Sequence, residues 1–133
     1  MSQSTANESL LLQTRSGPRL TLTMNRGAQF NALSEALLAE LTSALQEAGR
    51  DESVRVIVIA GDGKAFCAGH DLREMRAEPS EAYYRKLFGA CTRMMMAIQQ
   101  IPQPVIARVH GIATAAGCQM VAMCDLAVAA EQA

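Results

Sequence analysis

The sequence predicts one α/β domain built in layers, and three stretches carry that expectation. Val54 to Ala60, VRVIVIA, is a nearly continuous β-branched run, as expected of a strand covered on both faces. Leu37, Leu38, Leu41 and Leu45 stand at helical spacing ahead of it. After it, PVIARVHG runs through small residues into the apolar stretch GCQMVAM. Strands alternating with helices bury their apolar faces against one another as layers.

Taken in order, Met1 to Asn7 is polar and predicted to fray, leaving 8–133 as the ordered core of a domain over 1–133. Leu10 to Arg15 and Arg19 to Met24 flank Ser16-Gly17-Pro18, a turn composition, and so read as a hairpin. In its second strand Leu20, Leu22 and Met24 alternate with Arg19, Thr21 and Thr23, which predicts one buried face. Asn25 to Asn31 reads as a loop. A helix follows with Ser34 as N-cap and stops near Gly49. The VRVIVIA strand leads into a second loop, GDGKAFCAGHDL. Pro79 and Ser80 open a long helix to about Gln100, with a buried stripe of Leu87, Phe88, Cys91, Met94, Met95 and Ile98. Pro102 and Pro104 end it, and Val105 to Val109 is the next strand. Beyond the small-residue loop and its helix, Asp125 to Ala130 is a last apolar strand. The order is ββ-α-β-α-β-α-β. An apolar strand with no covering element after it predicts a truncated unit, or one completed by another chain.

Composition narrows the function classes. Half of the 133 residues are hydrophobic, 19% are charged and the net charge is −1, which excludes a disordered chain and gives no nucleic-acid footprint. Cys67, Cys91, Cys118 and Cys124 form no CxxC pair and only two histidines accompany them, so a metal site is not expected. The thiols read as reduced core residues. The N-terminus lacks a secretory pattern and no apolar run is long enough for a bilayer. These features predict a soluble intracellular chain, in the cytoplasm or, in a eukaryote, the mitochondrial matrix.

Gly61-Asp62-Gly63-Lys64 follows a strand as a nucleotide loop would. Phe66 stands where a third glycine belongs and Ala65 follows the lysine, so neither phosphate motif is met. His70 and Asp71 are neighbours that an extended segment points to opposite sides, so they make no dyad, and Asp71 reads as a capping residue. Asp125 reads as capping or orienting its strand. Two loops remain, Phe66 to Leu72 and Ile112 to Gln119, each following a strand with small residues at a bend. The free N–H groups of a helix start could hold an oxyanion there. Small residues also serve plain helix–sheet packing, and spacing alone does not bring the loops together.

The stretches NRGAQFNALSEALLAEL, VRVIVIAGDGKAFCAGHDL, IPQPVIARVHG and ATAAGCQMVAMCDLAVAA, in this order, make the chain similar to the enoyl-CoA hydratase/isomerase (crotonase) superfamily. The form HGIATAAGCQ resembles the enoyl-CoA hydratase domain-containing protein 3 subgroup. The resemblance implies a spiral of ββα turns, incomplete at the C-terminus because the match covers about half of the family's length. It implies acyl-CoA thioesters of fatty-acid metabolism as substrates, no cofactor, and a homo-oligomer, a trimer or dimer of trimers. By resemblance the thioester oxygen lies between the N–H groups of His70 and Ala116. Ala28, Phe30, Ala68, Gly69, His70, Asp71 and Leu72 line the CoA and acyl pocket. Gly111, Ile112 and Gly117 shape its floor beside Ala116.

Three departures stand out. The first of the family's two catalytic glutamates falls on Gln119, whose amide is no acid or base near neutral pH. The second falls beyond Ala133, and Ala115-Ala116-Gly117 replaces a glycine-rich crest. The sequence therefore predicts an acyl-CoA-binding protein with a backbone oxyanion hole, of lyase or isomerase type. Its alternatives are a non-catalytic binder or structural subunit, or other thioester chemistry such as isomerisation, hydrolysis or decarboxylation.

Overall fold

A computed structural model describes residues 9–133. The fraying expected of Met1 to Asn7, and Glu8 at the edge of the expected core, lie outside the described residues. Strands β1 (Leu11–Ser16) and β2 (Arg19–Met24) form the expected hairpin, closed by the Ser16–Arg19 pair. β2 then pairs in parallel with β3 (Val56–Gly61), β3 with β5 (Val105–Val109), and β5 with β7 (Leu126–Ala129). The result is a five-stranded sheet in the order β1-β2-β3-β5-β7.

A second, small sheet joins β4 (Ala65–Cys67) to β6 (Ile112–Ala113) in parallel. Beside it a single parallel bridge links Leu33 and His70. Each later turn of the chain thus gives one strand to the large sheet and one to the small, then a helix. The helices are α1 (Glu35–Arg50), α2 (Leu72–Ala77), α3 (Glu81–Gln100) and α4 (Ala116–Met123).

Local chemistry sets the helix starts. The hydroxyls of Ser34 and Ser80 each accept an N–H three residues on, from Leu37 and Tyr83, at 3.1 Å. The leucine stripe of α1 and Leu87, Cys91, Met94, Met95 and Ile98 of α3 are buried in one core with Leu22, Met24, Ile57 and Ile59 of the sheet. The β3 run is buried on both faces, as its β-branched composition requires.

Several expectations are corrected. The GDGKAFCAGHDL stretch is not all loop: β4 lies inside it, a strand too short to show periodicity. The helix α2 was not expected, because six residues carry less than two turns of pattern. Ile112 and Ala113 pair as β6 instead of opening a loop. Phe88, placed in the buried stripe, is 46% exposed and turns toward His70. Cys67 and Cys91 are buried core thiols, but Cys118 is exposed and Cys124 half-buried. Asp125 orients a neighbour: its carboxylate accepts the Val105 N–H at 2.7 Å and aligns β5.

Candidate functional site

The chain reaches His70 through backbone bonds that leave little freedom. Past β4, the Ala68 N–H donates to the Phe30 carbonyl at 3.0 Å. Gly69 then turns the chain at φ +94°, a conformation that side chains oppose. Leu33 N–H donates to the Gly69 carbonyl at 2.7 Å, and Asp71 N–H to the Leu33 carbonyl at 3.3 Å. Along an extended segment successive N–H groups point to opposite sides. With Asp71 N–H turned to Leu33, the His70 N–H points away from it and meets no acceptor among the described residues.

The second arm comes from β6. Thr114 N–H donates to the Cys67 carbonyl at 3.1 Å, and Gly117 N–H to the Thr114 carbonyl at 2.9 Å. A Cβ on Gly117 would collide with the Cys67 carbonyl oxygen, so only glycine lets α4 sit this close to β4. Gly111 packs likewise on the Lys64 carbonyl, while the Ile112 side chain is exposed. Ala116 is the first residue of α4, and its N–H also lacks an acceptor among the described residues. Ala115 precedes it at φ +51°, a region L-residues avoid.

The two arms meet. A Cβ built on Gly69 would stand 3.0 Å from the Ala115 Cβ and 3.3 Å from the Ala116 nitrogen. Sequence spacing could not bring these loops together; the parallel pairing of β4 with β6 does. Two unpaired N–H groups, from His70 and Ala116, therefore flank one junction, and one of them begins a helix. Gln119 lies one turn into α4 on the Ala116 face, with its side chain exposed.

Beside the junction, Ala28, Phe30, Asp71 and Leu72 line a cavity of about 460 Å³ with Arg26 and Arg73. Ala68, Gly69 and His70, expected to line the same pocket, are not among its lining residues. Arg26 meets Asp71 at 3.1 Å in a pair only 16% and 13% exposed, and also donates to the Ala32 carbonyl. Asp71 caps α2 as expected, accepting the Arg73 and Glu74 N–H groups at 3.0 and 3.3 Å. Burial pushes its carboxyl up, but the bond from Arg26, the two N–H groups and the Arg26 charge outweigh it and hold the pKa below the ordinary value.

Sequence reasoning missed Asn31. It is fully buried, at φ +55°, and its side-chain oxygen accepts the Arg26 N–H at 2.8 Å. Its amide donates to the Asp62 and Ala65 carbonyls at 2.8 and 3.0 Å, tying the 26–34 loop to β4. The signal was an asparagine next to a bulky residue in a loop, since asparagine tolerates the left-handed region.

The His70 ring is half-buried and meets Phe88 edge-on, ring centres 5.2 Å apart. Its Nδ1 is buried without a partner, and burial lowers its pKa. His110 stands apart: its Nε2 lies 2.6 Å from the Gly63 carbonyl. Among the described residues no cluster of three or more potential metal ligands occurs. No helix there is long and apolar enough to cross a membrane.

Known proteins share this fold. The profile of the enoyl-CoA hydratase/isomerase family matches residues 19–133. Enoyl-CoA hydratase domain-containing protein 3, mitochondrial, of Xenopus laevis is 41% identical over 122 residues, covering 92% of this chain and 41% of the relative. An enoyl-CoA hydratase structure from Mycobacterium smegmatis superposes with a TM-score of 0.90 at 67% identity, covering 92% of this chain and 48% of the other. The human enoyl-CoA hydratase domain-containing protein 3 structure gives 0.86 at 38% identity, covering 90% and 47%. The chain thus spans about half the length of these relatives or less. With the matched profile spanning β2 to the last residue and the fold shared at high similarity, this chain, with its crotonase-like α/β fold, belongs to the enoyl-CoA hydratase/isomerase family.

Proposed function

We propose that this chain binds acyl-CoA thioesters and polarises the thioester carbonyl with the N–H groups of His70 and Ala116. The observation that supports the reading is the close approach of Gly69 to Ala116, whose nitrogen lies 3.3 Å from where a Gly69 Cβ would stand, with the His70 and Ala116 N–H groups unpaired among the described residues. Developing negative charge on the thioester oxygen is stabilised by such preorganised donors, with the start of α4 adding its positive end. The cavity beside Arg26, Phe30 and Leu72 suits an acyl-CoA, with Arg73 at its rim for anionic groups. No cofactor enters the proposed chemistry.

The test is the carbonyl stretch of bound crotonyl-CoA by difference infrared spectroscopy, which shifts to lower frequency when the oxygen accepts two hydrogen bonds. Ala116→Pro removes one donor at the first helical position, where proline is tolerated, and should return most of that shift. An unchanged shift in a folded Ala116→Pro protein overturns the assignment.

A second reading, a binder without hydratase turnover, is favoured by Gln119, which offers a hydrogen bond but no proton transfer at the position of the family's first glutamate. Saturable binding of crotonyl-CoA with no loss of its conjugated absorbance would select it. We further propose association between copies, as the resemblance to the family implies. Light scattering that returns a monomer across concentrations would remove that proposal.

A further inference from the structure

We propose that the imidazole of His70 is the acid/base of this site, exchanging a proton with the α-carbon of the bound acyl group through Nε2. The inference rests on the thioester reading above. Covalent geometry carries it. An imidazole Nε2 lies no more than about 6 Å from its own backbone nitrogen in any rotamer. The ring can therefore swing to the α-carbon of a thioester whose oxygen accepts from the His70 N–H, directly or through one water.

The surroundings orient the ring. Phe88 packs on its edge and Nδ1 is buried without a partner, whereas Nε2 is neither buried nor hydrogen-bonded among the described residues. The outward nitrogen is the one free to act.

The rivals are committed elsewhere. His110 holds the Gly63 carbonyl. Asp71 is held by Arg26 and by the α2 N-terminus, which weakens it as a base. Gln119 has no proton to exchange. Cys118 stands two residues from Ala116 and so on another face of α4.

In the step, the Nε2 lone pair takes a proton from the α-carbon. The C–H electron pair moves into the enolate, whose charge rests on the oxygen held by the His70 and Ala116 N–H groups. The imidazolium then returns the proton, to the same carbon as exchange or, where the acyl group carries a β,γ double bond so that the enolate is a dienolate, to the γ-carbon as double-bond migration. Burial disfavours the imidazolium, so the ring is neutral near pH 7 and gives its proton back readily. The titratable groups on the neighbouring elements are the Arg26–Asp71 pair, Glu74 of α2, which accepts the Glu35 N–H, and Tyr84 of α3, whose hydroxyl donates to the Met75 carbonyl. Burial alone accounts for the lowered value.

The experiment incubates the full chain with butyryl-CoA in D2O, follows loss of the α-protons by NMR and measures binding by calorimetry. We expect exchange whose rate climbs with pH and levels off above a pKa lower than 6.5. His70→Gln, which keeps the N–H, should lower the rate at saturating thioester at least about 100-fold. Three results overturn the inference alone: binding without exchange, exchange that rises with hydroxide and never levels, or a folded His70→Gln with unchanged rate. Absence of butyryl-CoA binding overturns the thioester reading as well. The pH profile needs no variant, so it decides even if His70→Gln does not fold.

Discussion

The chain around His70 is tied from both sides, whereas the chain around Ala116 is held from one. Ala68, Gly69 and Asp71 are bonded to Phe30 and Leu33, and the side chains of Asn31, Arg26 and Asp71 brace the same loop. Between Ala68 and Asp71 the one positive-φ position holds glycine. The crest before Ala116 has the Thr114 bond to β4 and the close approach of Gly117, and it puts alanine at φ +51°. One donor is braced by polar side chains; the other stands on a strained turn that helix–strand packing holds down. Strain of this kind costs about 1–3 kcal/mol and persists only where its surroundings enforce it.

Asn31→Ala should break the braced arm most. It leaves the Arg26 N–H and the Asp62 and Ala65 carbonyls unpaired, a loss of about 4 kcal/mol at about 1–3 kcal/mol per buried orphan with partial relaxation. Chemical denaturation measures it; a loss below about 1 kcal/mol would mean that Asn31 braces nothing.

Arg26→Met tests the same arm from its charged side and should cost about 2 kcal/mol at pH 7, the worth of a hydrogen bond to a charged group. Because the Asp71 pKa is depressed in the folded state, the pair's stability is present above the ordinary value of 3.8 and lost as pH falls through the lower folded value. The gap between Arg26→Met and the parent should therefore close on acidification below pH 3.8. A gap that is constant with pH would locate the effect in packing.

The smallest effect, with the opposite sign, belongs to the crest. Ala115→Gly should stabilise the protein by about 1 kcal/mol, since relief of strain exceeds the added freedom of the unfolded chain. A destabilised Ala115→Gly would show that the crest is not strained and remove the contrast between the arms.

Much of this was legible from residues. The β-branched run of β3, the leucines of α1 and the caps Ser34, Ser80 and Asp71 are local signals, and the structure places each where its chemistry requires. The short elements were not legible, because β4, β6 and α2 are too brief for periodicity to identify. Phe88 was misplaced for a tertiary reason: its position on the α3 stripe faces the histidine loop instead of the core.

The sequence by itself determined the alternation of strands and helices, the family motifs around Ala68 to Leu72 and Ala115 to Gly117, and the amide at Gln119. These are properties of neighbours along the chain. Only the tertiary structure decided that Gly69 lies close to Ala116, that Asn31 braces β4, and that the His70 ring lies edge-on to Phe88 with Nδ1 buried and unpartnered. The pairings of Cys67 with Ala113 and of Leu33 with His70 bring together segments 46 and 37 residues apart, a separation that no local pattern encodes.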